Sequence, residues 1–355
     1  MDETIHKRDA ALLAQANLRD YAEVYESFSW EEARAELDGL PGGGLNIAYE
    51  AVDRHLAQGD GDRTALRWLG KDGSRQELTY RQMALATNRF ANVLTSLGVR
   101  RGDAVFGLMG RRPELYQAAL GILKNGSVFS PLFSAFGPEP LKARMTIGRA
   151  KALVTTDVLY SRKVAGWRDE LPDLDHVLLV RTSDKPLPEG CVDLAAAMAE
   201  ASEVFDIVET GPEDRALLHF TSGTTGKPKG VILSFDNVVK TAANGVKLED
   251  LTAAEESMAY LPMAWVGDHI FSYGQSYVAG FCVACPESSA TVMQDLRELG
   301  PTYFFAPPRI FENILTSVMI RMEDAGWFKR RVFHYFMDVA KRCGTRILDK
   351  KSVSF

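Results

Sequence analysis

Apolar residues along this chain recur in two rhythms, one of helical period and one of short continuous runs. The stretch TYRQMALATNRFANVLTSLG, from Thr79 to Gly98, spaces its apolar side chains as one face of a helix and stops at a glycine suited to a helix C-terminus. The runs AVFGLM, SVFSPL, KALVTT and HVLLV follow, separated by the helical segments PELYQAALGILKNG and PEPLKARMTIGRA and by a third near residues 158–170. Strands apolar on both faces and alternating with helices predict βαβ units, because a parallel sheet is covered by its own crossover helices. The second half repeats the alternation with ALLHF, GVILS, SMAYLP, CVAC and TYFFA. The expected fold class is α/β, with mostly parallel sheets covered by helices.

The two ends read differently. Ala11, Leu12, Leu13, Ala16, Leu18 and Tyr21 give an irregular helical face, SWEEARAEL starts a second helix, and Pro41 to Gly44 break the chain. Residues 1–45 are therefore expected to be a lead-in wrapped on the main body, residues 46–355. TSDKPLPEG, at 182–190, is the clearest exposed loop. Near the other end, Phe328, Val332, Tyr335, Phe336 and Val339 form an apolar stripe at helical spacing beside Lys329, Arg330, Lys341 and Arg342. Such a stripe packs into a core, or serves an anionic membrane surface or a second copy of the chain.

Composition narrows the classes. At 355 residues and 46% hydrophobic, the chain can bury a large core, and the composition predicts a soluble globular protein. A net charge of −6 argues against general nucleic-acid binding, which needs an excess of Lys and Arg. The four cysteines, Cys191, Cys282, Cys285 and Cys343, are too scattered for a disulfide framework, so the reducing cytoplasm is the expected compartment. Cys282 and Cys285 lie in an apolar run with no second Cys or His pair to complete a zinc site. MDETIHKRDA lacks the apolar stretch of a signal peptide, and no run approaches the length of a membrane span.

Candidate chemistry concentrates in TSGTTGKPKG, Thr221 to Gly230, between the apolar segments Ala216–Phe220 and Val231–Ser234. Glycines let the backbone turn its N–H groups onto an anion, hydroxyls donate to phosphate oxygens, and lysines bring compact positive charge. A triphosphate fits that composition; a flexible surface hairpin is the alternative. The G-x-x-x-x-G-K-[ST] phosphate loop is excluded, since Gly223 and Gly226 are only three apart and Pro228 follows Lys227.

The ten-residue string resembles the phosphate-binding signature of the adenylate-forming superfamily, which includes acyl-CoA synthetases. Residues about 26–220 are similar to the acetyl type, through GGGLNIAYEAVDRHL, LTYRQM, GVRRGDAVFGLM and VFSPLFSAFGPEPLKAR. LPMAWVGDHIFSYGQ and LRELGPTYFFAPPRIFENI are similar to long-chain fatty acyl-CoA synthetases. The resemblance implies the large N-terminal domain of that fold, incomplete at its C-terminus and without the small lid domain. It also implies ATP, Mg²⁺ and coenzyme A acting on a carboxylate such as a fatty acid.

By the same resemblance Thr221, Ser222, Gly223, Thr224, Thr225, Gly226, Lys227, Lys229 and Gly230 would wrap the nucleotide phosphates. Lys227 and Lys229 would offset charge as pyrophosphate departs, and Thr221 would be a Mg²⁺ ligand. Trp265 stands where the long-chain branch has a histidine and His269 lies four residues on; an acyl pocket and core packing are both open to them. Ser134-Ala135-Phe136 replaces the Gly-Gly-Phe of the thiol channel, with Ala135 the candidate contact, while Arg162 and Lys163 fall near the family's arginines for coenzyme A. The family's adenine-stacking, ribose-binding and C-terminal lysine motifs do not occur before Phe355. The expectation is a truncated ligase inactive alone, or else a noncatalytic nucleotide-binding remnant or subunit partner.

Overall fold

The computed structural model describes residues 20–29, 37–222, 226–349 and 351–353. The chain divides into two units, Met1–Tyr303 and Phe304–Phe355. The expected helices over residues 11–18 and 30–36 lie outside the described residues, whereas Tyr21–Ser27 is a short helix started by Asp20. The end of the lead-in is bound into the body. Leu40 and Leu45 are buried, and Leu45 N donates to Thr210 O at 2.8 Å.

The first unit carries the strands β1 (Thr64–Leu69), β2 (Arg75–Thr79), β3 (Ala104–Leu108), β4 (Val128–Pro131), β5 (Ala150–Thr156), β6 (His176–Val180) and β7 (Val192–Asp193). They are followed by β8 (Arg215–Thr221), β9 (Lys229–Ser234), β10 (Glu256–Met258) and β11 (Cys282–Pro286). Among the described residues these form a seven-stranded sheet, β7-β6-β5-β3-β4-β8-β9, and a four-stranded sheet, β10-β11-β1-β2. All pairings are parallel except β8 with β9 and β1 with β2. The α/β expectation with mostly parallel sheets holds.

Local chemistry explains the helix that follows β2. Thr79 Oγ1 accepts from Gln82 N while Gln82 Oε1 accepts from Thr79 N, a reciprocal cap that starts the helix Tyr80–Ser96. Its buried face, with Phe90 and Leu94, meets the helix Pro113–Lys124, which is opened by Pro113 and is buried along most of its length. Contact is close at Gly121, where a Cβ would stand 2.7 Å from Phe90 Cδ1, so only glycine lets these helices approach.

Three expectations differ from the structure. The helix near 158–170 is two pieces, Asp157–Lys163 and a 3₁₀ segment Ala165–Glu170, parted at Val164 at φ −123°, and the second is itself kinked at Trp167 at φ −140°. TYFFA is not a strand: only Tyr303 bridges a neighbour, Ser257, because no continuous partner lies beside the segment. The hairpin β1–β2 precedes the point where strand alternation was expected to begin. Its residues, TALRWL and RQELT, are half polar, and β1 is a strand because β11 lies parallel to it. Cys282 and Cys285 both lie on β11 as free thiols, in keeping with a structural role.

The second unit consists of the helices Pro308–Glu323 and Trp327–Leu348. Neither has a buried residue, and the stripe predicted from spacing is open to solvent, with Phe328 65% and Phe336 62% exposed. Core packing is the expectation for such a stripe within a longer chain, and in this chain the stripe is left exposed.

Candidate functional site

The carboxyl ends of four parallel strands from the two sheets converge on one cavity of about 610 Å³. Gly107 to Arg111 enter it from β3, Pro131 to Ala135 from β4, Tyr260 to Ala264 from the segment after β10, and Glu287 to Ser289 from β11. Parallel strands place their loops on one side, so ligands of open α/β sheets bind beyond the carboxyl edge. Most of the inner wall is apolar, through Met109, Leu115, Leu132, Phe133 and Met263.

Arg111 holds this cavity's two walls together. Its Nε donates to Pro286 O at 2.7 Å and its Nη1 to Tyr260 O at 2.6 Å, while its own carbonyl accepts from Trp68 Nε1 at 3.1 Å. One side chain beyond β3 therefore ties down the strand-end loops of the other sheet.

The expected phosphate loop is the tip of the antiparallel hairpin β8–β9, with Thr221 paired to Lys229 and Phe220 to Gly230. Gly226 sits at φ +82° with open space where a side chain would be, the left-handed conformation that favours glycine, and Lys227 and Lys229 are exposed. Gly223, Thr224 and Thr225 lie outside the described residues. A second, smaller cavity of about 220 Å³ is lined by Ser222, Trp265, Phe136, Arg144 and Phe220. Pro131, Phe133 and Ala264 line both cavities, so the two adjoin.

Arg144 is the charged residue of the small cavity. It is only 9% exposed, its guanidinium carbon lies 4.4 Å from the Phe136 ring centre and 6.0 Å from that of Phe220, and burial lowers its pKa. Nη1 donates to Pro140 O at 2.9 Å. The loop bearing Phe136 is pinned by Lys163 Nζ, which donates to Ser134 O at 2.6 Å and Phe136 O at 2.7 Å.

Behind the cavities lies a buried polar cluster. The His219 and His269 rings meet edge to face at 4.5 Å, and Tyr273 and Phe129 pack on His269 at 4.9 and 5.7 Å. Burial pushes His219 down to about 4 and His269 well below the ordinary imidazole range, so both are neutral at pH 7. Next to them the Asp268 carboxyl is raised by burial to about 7, against the opposing pull of the Ser272 hydroxyl, 3.0 Å from Oδ1, and of the Arg111 charge.

Structure thus brings Ser222, Trp265 and Ala135 to two adjoining cavities, whereas Lys227 and Lys229 line neither. His269, a candidate for the acyl pocket, is instead fully buried and lines neither cavity, because its helix turns that face inward against Phe129 and Tyr273. Lys163 is occupied by two carbonyls of the Ser134–Phe136 loop, and Arg162 is an exposed position of its helix. Sequence reasoning did not single out Arg111, Arg144 or Asp268. A signal for Arg111 was present, since an Arg pair directly after a strand and before Pro113 marks a carboxyl edge. Among the described residues no cluster of three His, Cys, Asp or Glu could hold a metal ion. A magnesium ion would fit here only with the phosphates of a nucleotide as its main ligands and the Thr221 hydroxyl beside them.

Comparison with known proteins agrees with this geometry. The family model described as AMP-binding enzyme matches residues 53–336. An acetyl-coenzyme A synthetase of Bacillus subtilis is 32% identical over 310 residues, 86% of this chain and 53% of that protein. A long-chain-fatty-acid–CoA ligase of Rattus norvegicus is 29% identical over 310 residues, 82% of this chain and 41% of that protein. The crystal structure of a Brucella canis acyl-CoA synthetase superposes with a TM-score of 0.72 at 27% identity, covering 84% of this chain and 54% of its own. The chain spans about half the length of these relatives.

Proposed function

The chain belongs to the family of AMP-binding enzymes, and from that premise we propose that it carries the phosphate-binding and acyl-binding parts of an acyl-CoA ligase site. In the reaction so assigned, a carboxylate oxygen attacks the α-phosphorus of ATP, the bond to the bridging oxygen breaks, and pyrophosphate leaves with the electron pair. The thiol of coenzyme A then attacks the acyl carbonyl, loses its proton, and releases AMP. Lys227 and Lys229 would offset the charge that grows on pyrophosphate, and Ser222 would donate to its oxygens. A magnesium ion bound with the nucleotide would further neutralise the phosphates. Thr221, at the end of β8, would be its protein ligand.

The observation that carries this reading is the position of the TSGTTGKPKG hairpin beside adjoining cavities at the carboxyl edge of the sheet. The loop chemistry meets a space apolar enough for an acyl tail. We expect ATP to bind roughly in the millimolar range, about −4 kcal/mol, through loop contacts. Gly226→Val, which forces a β-branched residue to φ +82°, is expected to weaken that binding at least tenfold in calorimetric titration with Mg²⁺. Equal binding by the two proteins would overturn the assignment.

The acyl class follows from the wall. Met109, Leu115, Leu132, Phe133 and Met263 offer apolar surface well beyond what a methyl group can cover, so fatty acids are the proposed substrates. Each buried methylene contributes about 0.8 kcal/mol. Decanoate should therefore bind more tightly than acetate by over a hundredfold. Equal affinities would exclude a fatty-acid pocket here. A reducing, cytoplasmic setting belongs to the same reading, given the four free thiols.

A further inference from the structure

Arg144 lies nine-tenths buried without a carboxylate: no acidic group among the described residues is within ion-pair distance of it. Burial of a cation is unfavourable unless an opposite charge or hydrogen bonds compensate. Two compensations are visible, the ring faces of Phe136 and Phe220 and one bond from Nη1 to Pro140 O. The guanidinium has five N–H donors in a fixed fork, and that single bond uses one. The same residue lines the small cavity with Ser222, the second residue of the phosphate hairpin.

We propose that Arg144 is an anion-binding residue of this cavity, taking a phosphate group there beside Ser222 of the hairpin. The proposal rests on reading the β8–β9 hairpin as a phosphate loop and adds a cation outside that loop, 77 positions before Thr221 by the difference of 221 and 144. A planar guanidinium shelved on aromatic rings cannot swing away. It offers two parallel donors, the arrangement that matches two oxygens of one phosphate. Lysine at this position would keep the charge but neither the stacking nor the fork. Lys163 contributes indirectly by pinning the loop that bears Phe136, and so holds the shelf in place.

The test uses the whole chain and inorganic pyrophosphate as the probe, with ATP and acetate as further arms. Wild type, Arg144→Met, Arg144→Lys and Gly226→Val are titrated by calorimetry after circular dichroism has checked that each is folded. Arg144→Met is expected to weaken pyrophosphate and ATP binding by tenfold or more, and Arg144→Lys by a smaller factor. If Arg144→Met does not fold, Arg144→Lys decides, with unchanged affinity counting against the proposal. Unchanged pyrophosphate affinity in Arg144→Met, together with loss in Gly226→Val, would overturn the role of Arg144 while leaving the loop assignment standing. No pyrophosphate or ATP binding by wild type would overturn both. An Arg144-dependent acetate affinity equal to that for pyrophosphate would identify the site as a carboxylate site and overturn the phosphate assignment.

Discussion

Replacing Lys124 by methionine is expected to destabilise the chain by about 3 kcal/mol, read as a lower urea midpoint at unchanged slope. Lys124 ends the central helix Pro113–Lys124 with its side chain fully buried. Its Nζ donates to Asp53 Oδ1 at 2.8 Å and to Asn88 Oδ1 at 2.7 Å, joining three helical segments. Burial pulls the lysine pKa down and the aspartate pKa up, and each is held charged by the other. Methionine fills the space of the stem but leaves Asp53 without its cation. The expected cost is at the lower end for a broken buried pair because the Asp53 side chain keeps 21% of its surface exposed. Adding Asp53→Asn to Lys124→Met removes the stranded charge, so the double variant should recover most of the loss. A single variant within 1 kcal/mol of wild type would show the pair to be dispensable.

Asp268→Asn is expected to change how stability depends on pH. The folded carboxyl titrates near 7, whereas in an unfolded chain it titrates near 3.9, so between these values the native state binds the extra proton. Its contribution is fully present below about pH 4 and is lost as pH rises through 7. About three pH units at 1.36 kcal/mol each make the loss roughly 4 kcal/mol by pH 8. Asparagine is neutral throughout, and its carbonyl oxygen can still accept from Ser272 Oγ. The difference in unfolding free energy between Asp268→Asn and wild type, measured in urea at intervals from pH 4 to 8, should move in favour of asparagine as pH rises. A pH-independent difference would mean that Asp268 titrates normally. The result bears on the site because Asp268 lies in the packed layer behind the cavity and is sensitive to the Arg111 charge.

What could be read from residues alone was whatever near neighbours along the chain decide. The helix that starts at Thr79, the buried strands β3 to β6 and the helices after β3 and β4 follow from spacing and from side chains a few residues apart, and they are found where the pattern put them. Patterning failed where a distant partner decides. TALRWL carries two polar residues in six, Thr64 and Arg67, and is a strand because β11 lies beside it, and TYFFA is mostly apolar yet is no strand for want of a continuous partner.

The loop string, by itself, announced phosphate chemistry, because glycine, hydroxyl and lysine content is a local property of ten residues. Which side chains surround that loop was not local. Arg144 reaches Phe220 across 76 positions by their numbers, through a strand order in which β4 and β8 are neighbours, and Arg111 reaches Pro286 across 175, from one sheet to the other. His269 shows the same limit from the other side: its spacing from Trp265 allowed one shared face, but the π turn Ile270–Gly274 and the packing of Phe129 and Tyr273 put it in the core. Sequence alone determined the helices and buried strands whose signals are short-range, and it pointed to a phosphate ligand by the same kind of signal. Only the tertiary structure decided which charges lie buried beside that ligand's place, because desolvation and counter-charge depend on residues brought together by the sheet rather than by the chain.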